Sequence, residues 1–106
     1  AWCEVTDMLF KNNRKIAAKY FDAPLGILKP GAAADVIVMD YKCFTPFSDA
    51  NIDGHMIFGM TGRQCETTMC NGKLLMKDRQ LIGIDEEAMN ARTMEASKKL
   101  WSRLNG

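Results

Sequence analysis

The chain has 106 residues, 47% of them hydrophobic and 25% charged, and its 14 Lys+Arg against 13 Asp+Glu leave a net charge of +1. That length suits one domain or part of one, and a chain this short buries only about 60–70% of its unfolded surface, so its core is modest. The near-zero charge gives no footprint for nucleic acid, no apolar run approaches the roughly 20 residues that cross a bilayer, and no secretion signal opens the chain.

Ala1 rather than Met at the start fits a trimmed tag or a fragment. The four cysteines, Cys3, Cys43, Cys65 and Cys70, are too few and too irregular for a disulfide framework. Reduced thiols in a cytoplasmic protein are the expectation.

Trp2, Val5, Met8 and Leu9 recur at helical spacing, so a first helix is predicted from Trp2 to about Lys11. Asn12-Asn13 should interrupt it, with Asn13 capping a second short helix through Phe21. Pro24 ends that helix, because proline has no N–H and restricts the residue before it. Lys29-Pro30-Gly31-Ala32 has type II turn chemistry: proline pre-sets φ at the second position and glycine accepts a positive φ at the third.

Asp35 to Tyr41 then reads as a strand. Its Val-Ile-Val-Met centre does not alternate, which predicts that both faces are covered. Lys42 to Gly54 is a loop, and His55 to Met60 is either a helical turn or a short strand. Gln64 to Met69 alternates; Asn71-Gly72 and then Lys73 to Met76 complete a type I′ hairpin. Asp85 is the expected N-cap of a last helix, with Ile84 stapled onto Met89 and a buried stripe of Met89, Thr93, Ala96, Leu100, Trp101 and Leu104. Glu86 and Glu87 in its first turn and Lys98, Lys99 and Arg103 near its end complement the helix dipole. Glu95 and Lys99 make an i,i+4 pair. The fold class is α+β, with three or more short strands between N-terminal and C-terminal helices.

Four groupings invite a chemical reading. Asp49, Asn51, Asp53 and Gly54 match the opening of an EF-hand calcium loop, but the twelfth position, which should be a bidentate Glu, is Met60. His55, Cys65 and Cys70 lack the Cys-x-x-Cys or His-x-His spacing of a zinc site, so a hydrogen-bonded structural histidine is expected. Asp35 and Asp40 lie about 16 Å apart along an extended strand, too far for a two-carboxylate mechanism, and are expected to cap loops at its ends. Lys98, Lys99 and Arg103 read as a solvated helix terminus. No residue of the chain is assigned a catalytic, cofactor-binding or metal-binding role.

Leu25-Gly26-Ile27-Leu28-Lys29-Pro30-Gly31-Ala32-Ala33-Ala34-Asp35-Val36-Ile37-Val38-Met39-Asp40 resembles the segment that follows the catalytic barrel in the amidohydrolase superfamily. With Gly54 to Met60 and Thr67 to Arg79 the pattern is similar to the SsnA-type aminohydrolases and chlorohydrolases, over essentially all 106 residues. The resemblance implies a (β/α)8 barrel beside a smaller β-sandwich, with a divalent metal such as zinc or iron held in the barrel. Its ligands, a His-x-His pair, two later histidines and an aspartate, would precede Ala1; His55 inherits no ligand role. On this reading residues 1–24 end the barrel region, 25–83 form part of the sandwich, and 84–106 are an outer helix.

Two readings follow. The chain is a non-catalytic structural segment of such a hydrolase, inactive alone, or a free-standing assembly or binding module derived from one. A thiol or metal enzyme built on Cys65, Cys70 and His55 is a third, weaker reading. Strands shaped to pair with absent ones leave open edges, so self-association by edge pairing or helix exchange is expected, with no nucleic-acid or membrane partner.

Overall fold

A computed structural model describes residues 2–106. The chain opens with α1 (Trp2–Asp7), which widens into a π-helical turn over Met8–Asn12 and tightens again as α2 (Asn13–Ala17). The Asn13 N–H bonds to the Met8 carbonyl five residues back, so the helix runs through Asn12-Asn13 instead of breaking there. The expected Asn13 cap is absent: Asn13 has helical φ and ψ and continues the helix. Thr6, only 8% exposed, turns its hydroxyl back to the Cys3 carbonyl at 3.1 Å.

The turn before the sheet follows its residues. The Ala32 N–H donates to the Lys29 carbonyl at 3.1 Å, and Gly31 takes a φ of +84°, the type II geometry. Four strands form one antiparallel sheet in the order β1-β2-β3-β4: β1 (Val36–Met39), β2 (Cys65–Cys70), β3 (Lys73–Lys77) and β4 (Gln80–Leu81). Val36 pairs with Met69 and Val38 with Thr67, and the register shifts between Val38 and Met39. The β2–β3 hairpin turns through Asn71 and Gly72, with φ of +47° and +79°, as a two-residue type I′ connection.

A second hairpin, which sequence reading did not foresee, links β3 to β4 through Asp78 and Arg79. Both hold positive φ, +50° and +62°, without a glycine. The compensation is visible: the Arg79 N–H donates to the Glu66 carbonyl at 2.9 Å, and its guanidinium holds Asp40 at the same distance. Between β1 and β2 lie a single helical turn α3 (Ile52–Gly54), a π turn over His55–Gly59 and a 3-10 turn over Gly62–Gln64 closed by a Thr61–Gln64 capping box.

The last helix, α4 (Glu86–Leu104), begins where expected: the Asp85 carboxylate accepts the Ala88 N–H at 2.9 Å. The Glu95–Lys99 pair forms at 2.8 Å. The anticipated buried stripe does not: no residue of α4 is buried, and Trp101 is 61% exposed. Nor is β1 covered on both faces, since Ile37 is 60% and Val38 48% exposed. Among the described residues no hydrophobic side chain is fully buried. The radius of gyration is 19.0 Å, against about 13 Å for a compact chain of this length. The apolar patterning is present but its expected burial is not: among the described residues, α4 and the sheet keep their apolar side chains at least partly exposed.

Candidate functional site

One polar side chain stands out by its burial. His55, at 6% exposure, opens the π turn and sits between the end of β1 and the loop that follows it. Its Nδ1 lies 2.6 Å from the Tyr41 hydroxyl and its Nε2 lies 2.9 Å from the Thr45 hydroxyl. A neutral imidazole carries one N–H and one acceptor nitrogen, so in either tautomer one hydroxyl donates to the ring and the other accepts from it. Rings of Tyr41, Phe44 and Phe47 surround the imidazole at centroid distances of 5.5, 5.6 and 5.3 Å. Burial raises the Tyr41 phenol above its ordinary pKa.

This arrangement ties two stretches of irregular chain together. A shallow cleft of about 230 Å³ opens beside it, lined by Phe44, Asn51, Gly54, His55, Phe58 and Gly59. Both ring nitrogens are engaged by hydroxyls of the same chain, so the imidazole is a structural joint, as the sequence led us to expect. Sequence reading missed the partners. The signal was present in the threefold spacing of Tyr41, Phe44 and Phe47, inside a stretch read only as loop.

The remaining groupings fall apart or into scaffolding roles. His55, Cys65 and Cys70 do not converge: among the described residues no three His, Cys, Asp or Glu side chains stand close enough to share a metal ion. The side chains present therefore do not fit the divalent metal of the resembled hydrolases. The Asp49–Gly54 stretch is a turn and not a cation loop: the Asn51 side chain accepts the Ser48 N–H at 2.9 Å and donates to the Pro46 carbonyl at 2.6 Å, and α3 follows. Asp35 accepts the Asn71 N–H at 2.7 Å across the hairpin turn. Asp40 takes the Arg79 ion pair, whose hydrogen bond and charge hold its carboxyl below the usual range. Both aspartates fasten strand ends, as expected. Of the basic residues near the end of α4, Lys99 is taken up by Glu95.

Comparison with known proteins supplies what the geometry does not. The chain is 34% identical over 90 residues to a 5'-deoxyadenosine deaminase of Methanosarcina barkeri, a match that takes in 83% of this chain and 20% of that protein. The chain matches one fifth of a deaminase. It is likewise 33% identical over 89 residues to a 5-methylthioadenosine/S-adenosylhomocysteine deaminase of Halobacterium salinarum, again 20% of that protein. A deaminase of the same description from Pelotomaculum thermopropionicum is 29% identical over 79 residues, 74% of this chain. No family model and no solved structure matches the chain. The deaminase relationship therefore rests on sequence, and the buried histidine joint lies within a segment a fifth the length of those enzymes.

Proposed function

We propose that this chain is a non-catalytic structural segment of a metal-dependent amidohydrolase whose whole polypeptide removes an amino group from a nucleoside of the adenosine type. The observation that carries this reading is the match to only a fifth of each deaminase. It is supported by chemistry: the one histidine of the chain is engaged at both nitrogens, and no side-chain cluster among the described residues fits a metal. The metal that activates water in such hydrolysis would then be held by residues outside this chain. The narrower placement among SsnA-type aminohydrolases and chlorohydrolases rests on the Gly54–Met60 and Thr67–Arg79 patterns.

The segment's work is to supply β1 to β4 and α4 as one side of a joint that the rest of the enzyme completes. The test is complementation. The purified chain, supplied with Zn²⁺ or Fe²⁺, is expected to release no ammonia from 5'-deoxyadenosine above a metal-only blank. Mixed with the separately expressed remaining four fifths of the M. barkeri enzyme, it is expected to restore turnover. Deamination by the chain alone overturns the non-catalytic assignment, and no gain on mixing overturns the structural one.

A further inference from the structure

The sequence holds two Asn-Gly pairs, Asn71-Gly72 and Asn105-Gly106. An asparagine side chain before glycine is open to attack by the next backbone nitrogen, because glycine offers no side chain to block the approach. The two pairs sit in unlike settings. Asn105 closes α4, and among the described residues its N–H bonds within its own helix, to the Trp101 carbonyl at 3.1 Å. Asn71 and Gly72 form the β2–β3 turn and are exposed, yet both of their amides are held from outside the hairpin. The Asn71 N–H donates to the Asp35 carboxylate at 2.7 Å, and the Gly72 N–H donates to the Ala34 carbonyl at 3.0 Å.

These two acceptors are consecutive residues that lead into β1, so this short stretch lies across the turn as a clamp. Its chemical effect is on the Gly72 nitrogen. To attack the Asn71 side chain, that nitrogen must give up its proton and carry negative charge. A carbonyl oxygen 3.0 Å away and a carboxylate on the neighbouring amide both disfavour that charge. The clamp therefore opposes the reaction that the Asn-Gly pair invites.

We propose that Asn71-Gly72 is a self-modification site gated by Ala34 and Asp35, at which a succinimide forms only when the lead-in to β1 lifts off the turn. In that step a bond forms between the Gly72 nitrogen and Asn71 Cγ. The Cγ–Nδ2 bond breaks, and Nδ2 leaves with the Gly72 proton as ammonia. Water then opens the ring at either carbonyl. Opening at Cγ leaves an aspartate, whereas opening at the main-chain carbonyl leaves an isoaspartyl link with an extra carbon in the backbone. Either product carries a carboxylate close to that of Asp35, and like charges oppose return of the clamp. The isoaspartyl form also lengthens a turn that closes on the Cys70–Lys73 pair. A transient opening at the start of β1 thus becomes a permanent covalent change. This assignment does not depend on the deaminase relationship.

The test is incubation of the 106-residue chain at mildly alkaline pH, folded and in denaturant, with deamidation at each asparagine followed by peptide mass and isoaspartate content. Each site's folded rate is divided by its own rate in the unfolded chain. Asn105 is expected to keep most of its unfolded rate, while Asn71 falls roughly tenfold or more below its own. Asp35→Ala is expected to raise the folded Asn71 rate about threefold to tenfold and to leave Asn105 unchanged. A ratio at Asn71 equal to that at Asn105 overturns the gate, whether or not the Asp35→Ala chain folds. So does an Asp35→Ala chain whose β2–β3 amides stay protected from exchange and whose Asn71 rate does not move. An Asn71 that yields neither aspartate nor isoaspartate even in denaturant overturns the site itself.

Discussion

At Gly59 the chain passes so close to the Tyr41 ring that an added Cβ would overlap both the hydroxyl and the carbon that bears it. That glycine is there for space: its φ is not among the positive ones, and the constraint is the phenol that reaches past it to His55. Gly59→Ala is expected to push Tyr41 off the imidazole and cost about 1–3 kcal/mol in thermal unfolding. Gly62→Ala, three residues on with nothing within 4 Å of the new methyl, is expected to be neutral in the same measurement. The Asp40–Arg79 pair carries a pH signature. Because Arg79 holds the Asp40 carboxyl below its ordinary pKa in the folded chain, this pair's contribution is present at neutral pH and is lost as pH falls through the folded value. An Asp40→Asn chain is expected to lose less stability on acidification than the parent, read as denaturant midpoints across the acid range. The pair is exposed, so the difference is small.

At the scale of the element, α4 is a helix held at one end. Its Asp85 cap, acidic first turn and Glu95–Lys99 pair are local devices, and the Leu81 N–H adds a weak tether by donating to the Glu86 carboxylate at 3.4 Å. A helix of 19 residues without packing is marginal in water. In the dilute chain its amides are expected to exchange well before those of the β2–β3 hairpin, and Asp85→Ala is expected to remove about 1 kcal/mol of helix stability, seen as lost ellipticity at 222 nm.

Where an element's signal is local, the sequence carried it: the Pro30-Gly31 turn, the Asn71-Gly72 hairpin and the Asp85 cap all lie where their residues place them. Where the signal depends on distant contacts it was silent or misleading. Asp78-Arg79 has no turn signature because Glu66 and Asp40 hold that bend from across the sheet. Asn12-Asn13 looked like a break because a widened π turn leaves no mark in residue preferences. The apolar run of β1 and the apolar stripe of α4 were legible, but the burial expected of both fails: apolar patterning encodes what a face is suited to meet and not whether the partner is in the same chain. The His55 joint was half legible: its structural character followed from the lack of ligand spacing, while Tyr41 and Thr45 were hidden in a stretch that reads as loop.

At the scale of the molecule, the chain is 56 Å long in its greatest dimension and has sheet and helices without a shared interior. The matched segment is one fifth of each relative, and on the proposed reading the rest of such a polypeptide covers these faces. The two tryptophans, Trp2 and Trp101, give that covering an optical test. Trp2, 58% exposed, lies edge-on to Phe58 with ring centroids 5.3 Å apart, at the end of the chain nearest the histidine joint; Trp101 rides on the far part of α4. Each indole is solvated now, so each should emit at the red end of its range and be open to a soluble quencher. Whatever covers one face and not the other will shift and shield one indole alone. The native chain thus carries two fluorescent gauges, and replacing either tryptophan with phenylalanine would leave a single-site reading of which surface is engaged.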